Sequence, residues 1–140
     1  MSKTILQEVL FKNTTAKDLY DLYMNSKKHA LATGAPAKLS SKVGGKYSVH
    51  SGYIHGQNLQ LVKNKLIVQS WRAEGWNKAD VDSTFILNFE IKEGDVLLHM
   101  VHANIPDKEV MGITKGWHDH YWEPWKKYLA GTPIKKSPEM

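Results

Sequence analysis

Val110 to Leu129 reads VMGITKGWHDHYWEPWKKYL, and the spacing of its aromatic residues decides the architecture. At about 100° per residue, Ile113, Trp117, Tyr121, Trp125 and Tyr128 all fall within roughly 60° of Val110, so one face of a helix here is nearly continuous aromatic surface. Met111, Trp122 and Leu129 form a second apolar stripe beside it, while Lys115, Asp119, Glu123, Lys126 and Lys127 take the remaining side. Asp107, just after Ile105-Pro106, is placed to cap this helix, with Glu109 near the positive end of its dipole. Pro124 removes a backbone donor and predicts a kink. So bulky a face needs a large apolar partner.

The segment before it supplies one. From Lys46 to Ala103 short alternating runs are punctuated by turn residues, the signature of an antiparallel meander. A two-residue loop at Glu93-Gly94 pairs Ile91 with Val96, Phe89 with Leu98, Leu87 with Met100 and Phe85 with His102. That face is apolar except for His102. The opposite face pairs Glu90 with Leu97, Asn88 with His99 and Ile86 with Val101; it is mixed and is expected outside. The same treatment of Asn64-Lys65 pairs Leu61 with Val68 and Leu59 with Ser70. Neither of those faces is clearly polar, and the direction of Trp71 stays open.

At the other end, Thr4 to Lys12 reads as a first strand. Thr15, with Asp18 three residues on, is a plausible N-cap for a helix carrying Leu19, Leu22 and Tyr23. Ser26 is placed to cap a second short helix ending at Gly34, and Ala35 to Gly45 reads as a loop. The expectation is one α+β domain over residues 1–130, a curved antiparallel sheet packed on a long C-terminal helix with two small helices after strand 1. The tail 131–140 is expected to be disordered.

With 140 residues and 41% hydrophobic content the chain can hold a core, and with no cysteine it carries neither disulfide nor thiolate chemistry. The first fifteen residues contain no apolar run of signal-peptide or membrane-span length, so the expected compartment is the cytoplasm and no membrane partner is expected. The formal charge of +5 is spread over scattered lysine pairs without a nucleic-acid motif, so no nucleic-acid partner is expected either. No feature fixes an oligomeric state.

Seven histidines raise a metal site, but local spacing fails it: His118 and His120 diverge on a helix, and His99 and His102 face opposite sides of a strand. No nucleophile elbow or phosphate-cradling glycine loop is present, so no cofactor is expected. His102, on the apolar face, is either a core histidine satisfied by a tyrosine hydroxyl or a backbone carbonyl, or a polar orienting group in a pocket.

Several motifs occur in a telling order: Thr33-Gly34, Gly44-Gly45-Lys46-Tyr47, Gly52 and Gly56, Leu66-Ile-Val-Gln-Ser-Trp-Arg72, Gly116-Trp117, and Tyr121-Trp-Glu-Pro-Trp-Lys-Lys-Tyr-Leu129. Over residues 4 to 130 this set resembles the C-terminal-domain type of the activator of heat-shock protein 90 ATPase homologue family, within the START-like (SRPBCC) superfamily. The resemblance implies a helix-grip fold. It also implies either a hydrophobic small molecule held between sheet and helix, as in the superfamily, or a chaperone partner, as in the two-domain activators, for whose separate N-terminal domain 140 residues leave no room. The leading expectation is a non-enzymatic module whose pocket for an apolar or aromatic ligand is lined by Tyr47, Trp71, Phe85, Leu87, Met100, His102, Met111, Trp117 and Tyr121. The alternatives are a chaperone-associated module, and an enzyme acting on a hydrophobic substrate with His102 as acid or base.

Overall fold

The computed structural model describes residues 2–131. Six antiparallel strands form one sheet, β1 (Ser2–Phe11), β2 (Lys46–Val49), β3 (Ile54–Val62), β4 (Leu66–Ala73), β5 (Ser83–Lys92) and β6 (Asp95–Pro106), in the order β1-β6-β5-β4-β3-β2. Strands β2 to β6 are a simple meander; β1 joins its far edge beside β6. Two short helices, α1 (Ala16–Met24) and α2 (Ser26–Thr33), follow β1, and a long helical run closes the chain. This is the helix-grip arrangement.

The β5–β6 register is the one that the sequence predicts, from Ile91 opposite Val96 to Phe85 opposite His102. Its turn requires left-handed backbone at both central residues, and Glu93 (φ 43°) and Gly94 (φ 89°) supply it. The inner residues Phe85, Leu87, Leu98 and Met100 are buried. On the outer face His99 bridges Glu8 of β1 (3.0 Å) and Glu90 of β5 (2.8 Å), tying three strands across.

The β3–β4 hairpin differs from the expectation by one residue. Its loop is three residues long, with Asn64 at φ 63°, so Leu61 pairs with Ile67 rather than Val68. A register shift between Asn58 and Gln60 takes up Leu59, which stays half-exposed instead of facing Ser70. Strand β4 then alternates cleanly, burying Ile67, Gln69, Trp71 and Ala73. Trp71 therefore points inward.

Capping is as expected for α1, where Thr15 Oγ1 accepts from the Asp18 amide at 3.1 Å. For α2 the cap is Asn25, whose Oδ1 accepts from the Lys28 amide at 3.0 Å, and Ser26 instead accepts from the Leu39 amide at 2.8 Å. At the C-terminal run Asp107 is not the cap: it starts a 3-10 turn (Asp107–Glu109) with no side-chain capping bond. Helix α3 (Val110–Trp117) continues into a π turn (His118–Trp122) and then α4 (Glu123–Leu129). Pro124 has no N–H to give to the carbonyl four residues back, and the helical hydrogen-bond pattern changes in the π turn that ends two residues before it.

The π turn changes which side chains face the sheet. In such a turn residues five apart overlie, and Trp117 and Trp122 stack with centroids 5.2 Å apart and planes 14° apart. Trp122 thereby leaves the second apolar stripe, where uniform helical spacing puts it beside the aromatic face, and is fully buried with Trp125. Met111, six residues before Trp117, gains nothing from this shift and remains 86% exposed. Of the expected tail, Gly131 ends the described chain, and 132–140 lie outside the described residues.

Candidate binding cleft

A cleft of about 520 Å³ opens between the β2–β3 end of the sheet and the C-terminal helical run. Its sheet side comes from Ile54 of β3, Trp71 and Ala73 of β4, and Trp76 of the loop after β4. Its helix side is Glu109, Gly112, Ile113, Gly116, Trp117, His120 and Tyr121, with His50 and Tyr53 contributed by the β2–β3 turn. Size and lining match a small-molecule pocket: mostly apolar, with a few polar groups.

Two local features create the opening. Gly112 and Gly116 are one helical turn apart on the same face, and an added Cβ would meet nothing within 4 Å at Gly112 and only His120 Cδ2, at 3.8 Å, at Gly116. Gly116 thus leaves a bare wall, with no sheet atom close to it. Opposite, His50 (φ 53°), Ser51 (φ 60°) and Gly52 (φ 88°) are consecutively left-handed. This costly backbone carries His50 over the helix, with its ring 5.5 Å from Tyr121 and 5.8 Å from His120. Burial, and secondarily the charge of His120, lowers the His50 pKa.

Beneath the cleft the polar groups are closed off from it. Trp117 Nε1 can only donate, so His102 Nδ1, 3.0 Å away, is an acceptor and the proton sits on Nε2. That Nε2–H donates to Ser83 Oγ at 2.9 Å, and Ser83 donates onward to the Trp71 carbonyl at 2.7 Å. His102 is satisfied by a tryptophan and a serine, not by the tyrosine or carbonyl expected, and burial holds its pKa down to about 3. His29 is a second neutral core imidazole: it donates from Nδ1 to the Tyr23 carbonyl (2.8 Å) and accepts the Tyr121 hydroxyl at Nε2 (2.9 Å). Burial lowers its pKa to about 4.

A third buried chain secures the loop before β2. Tyr23 donates to Gln69 Oε1 (2.8 Å), Gln69 Nε2 donates to Asn58 Oδ1 (2.8 Å), and Asn58 Nδ2 donates to the carbonyls of Ser40 (2.7 Å) and Lys42 (2.9 Å). Gly56 sits where β3 crosses β4 so closely that a Cβ would lie 2.0 Å from the Ser70 carbonyl oxygen. The Tyr47 hydroxyl donates to that same oxygen at 2.6 Å.

Of the residues nominated from sequence, Trp71, Trp117 and Tyr121 line the cleft. Tyr47, Phe85, Leu87, Met100 and His102 are buried core residues that do not line it; the Trp71 ring lies against His102 and the Trp117 ring against Phe85. Met111 points to solvent. Sequence reasoning missed His50, Trp76, Glu109, Gly112 and His120. The Gly112/Gly116 spacing was the available signal; nothing local marked Trp76, whose direction depends on the fold of a loop.

The comparisons with known proteins agree with this geometry. The model of the family described as Activator of Hsp90 ATPase homolog 1-like protein matches residues 13–130. The human Activator of 90 kDa heat shock protein ATPase homolog 1 is 32% identical over 110 residues, which are 79% of this chain and 32% of that protein. A Dictyostelium discoideum protein, Activator of 90 kDa heat shock protein ATPase homolog, is 32% identical over 102 residues, 71% of this chain and 26% of its own. The chain thus spans about a third of the length of these relatives or less. Among solved structures, PFC0360w, an HSP90 activator from Plasmodium falciparum, superposes with a TM-score of 0.77 at 28% identity, covering 94% of this chain and 96% of that one. A family model that spans the chain from the end of β1 to the end of α4, set on a helix-grip fold, places this protein in the Activator of Hsp90 ATPase homolog 1-like family.

Proposed function

We propose that the chain is a non-enzymatic binding protein that associates with a 90 kDa heat-shock chaperone and modulates its ATPase cycle. The observation that carries this is the likeness, over nearly the whole of both chains and at 28% identity, to a protein named as an HSP90 activator. A unit of this size is therefore a reasonable carrier of the partner contact. The side chains favour binding over chemistry, since His102, the acid–base candidate of the sequence, is sealed by Ser83 and Trp117 beneath the cleft. Isothermal titration of the purified chain into a purified 90 kDa heat-shock protein tests the association. A saturable heat that weakens with rising salt is expected for a chain of charge +5. No heat at low salt, at concentrations well above micromolar, would count decisively against it.

The second reading rests on the cleft itself: a 520 Å³ space lined by Trp71, Trp76 and Trp117 suits an apolar or aromatic guest. The two readings are compatible, because a guest beside the C-terminal helix can bias a surface used for a partner. Native mass spectrometry of the purified protein is the test. A retained small molecule, lost in Gly116→Leu, is expected; identical bare masses for both proteins would speak against a resident guest.

A further inference from the structure

Given that the cleft holds a guest, the reading on which this inference rests, its lining points to a ligand class. We propose that the cleft selects amphipathic cations: an ammonium or quaternary ammonium group on an aromatic or alkyl body. The protein carries 19 lysines and arginines against 14 acids, yet among the described residues no lysine or arginine lines the cleft, and the one acidic lining residue is Glu109. Beside the aliphatic and glycine positions Ile54, Ala73, Gly112, Ile113 and Gly116, much of the remaining wall is aromatic ring that attracts cations. Trp71 and Trp76 meet at 5.8 Å and 54°, with Trp117 and Tyr53 around the same space.

This sorting of charge is maintained by the neighbouring residues. Arg72 already lies 5.8 Å from the centroid of the Trp76 ring, so the indole does take a cation in this molecule. Arg72 itself is bound away from the cleft, to Asp82 Oδ1 (3.0 Å) and to the carbonyls of Asp80 (2.8 Å) and Asn77 (2.7 Å). The His50 ring lies against His120 and Tyr121, with Tyr53 and Glu109 lining the same cleft, and burial, then the charge of His120, lowers its pKa. The Trp76 indole N–H is buried without a hydrogen-bond partner among the described residues. An anionic guest would meet the Glu109 carboxylate and π faces with no lysine or arginine among the described lining residues to offset them, and with the Trp76 N–H as a neutral donor.

Three probes of one skeleton separate charge from shape: 3-phenylpropylammonium, 3-phenylpropan-1-ol and 3-phenylpropanoate. Binding to the full chain at neutral pH is followed by tryptophan fluorescence and by the indole N–H signals of Trp71, Trp76 and Trp117. The ammonium is expected to bind about threefold to thirtyfold more tightly than the alcohol, the range that cation–π attraction spans. The carboxylate should be weakest. Glu109→Gln should reduce the advantage of the ammonium over the alcohol, and Gly116→Leu, at an α-helical position with room for a side chain, should abolish all three. Equal affinities, or a preference for the carboxylate, would overturn the charge assignment and leave the cleft standing. Absence of binding by every probe, or unaltered binding in Gly116→Leu, would overturn the cleft reading and this inference with it.

Discussion

Trp117 joins the core, the buried polar network and the cleft in one side chain. It stacks on Trp122, meets Phe85 edge-on at 5.3 Å, donates to His102, and forms part of the cleft wall. Truncation to Ala should cost about 3–5 kcal/mol, a large part of the roughly 5–15 kcal/mol expected for one domain. Trp117→Phe keeps a ring but strands the His102 Nδ1 lone pair, adding about 1–3 kcal/mol for a buried acceptor, so it should fall between wild type and Ala. Urea unfolding midpoints check the order. A wild-type midpoint for Trp117→Ala would mean that the helix faces away from the sheet. The burial of Trp117 was legible in the sequence because 3.6-residue spacing is a local property. The role of Met111 was not, since one π turn redirects the stripe to which it was assigned, and the spacing carries no mark of the turn beyond Pro124.

At the scale of elements, the contrast between the two hairpins shows what the pattern could carry. Glu93-Gly94 has one favoured turn type, and with one face apolar a slip would expose it, so the β5–β6 register was readable throughout. Lys63 to Lys65 has no comparable turn preference, and the register shift near Leu59 conceals the one-residue error from the hydrophobic pattern. What fixes β3 and β4 instead is the buried relay from Tyr23 through Gln69 to Asn58, three polar residues far apart in sequence that no periodicity links. Gln69→Leu should leave the Tyr23 hydroxyl and Asn58 Oδ1 without their partners, at about 1–3 kcal/mol for each buried group. Hydrogen exchange should then quicken at the Gly44 and Asn58 amides, which hold the loop to β3. Unchanged protection at both would show that the loop is secured by its backbone bonds alone.

For the whole molecule, two buried neutral histidines set the acid limit. Unfolded histidine titrates near about 6.5, whereas His29 and His102 in the fold are held to about 4 and about 3. Below about 6.5 the unfolded chain takes up protons that the folded one refuses, so stability is complete above that pH and falls as pH drops toward 4. The loss attributable to His29 is of the order of a few kcal/mol. Thermal unfolding from pH 7.5 to 4 should show it, and His29→Gln should flatten the slope between 6.5 and 4. His99 acts in the opposite sense. Its hydrogen bond to Glu90, and then the charge and hydrogen bond of Glu8, raise its pKa, so its small, solvent-screened contribution is present in acid and is lost as pH rises through that raised value. A stability curve flat from 7.5 to 4 would contradict the buried tautomers assigned to His29 and His102.

The architecture, a sheet gripping an aromatic helix, was legible because each element had its own periodicity. The cleft was not, because its walls come from a strained turn, a loop and two glycines that only the fold brings together. Whether this assembly acts on a chaperone is decided by the steady-state ATP hydrolysis rate of a purified 90 kDa heat-shock protein titrated with the full chain. A saturable change in rate is expected at the concentrations where the two proteins bind, and it should be preserved in Met111→Ala, whose side chain touches neither core nor cleft. A rate that stays flat while binding saturates, or the absence of both, would mean that the chain is no modulator of that chaperone.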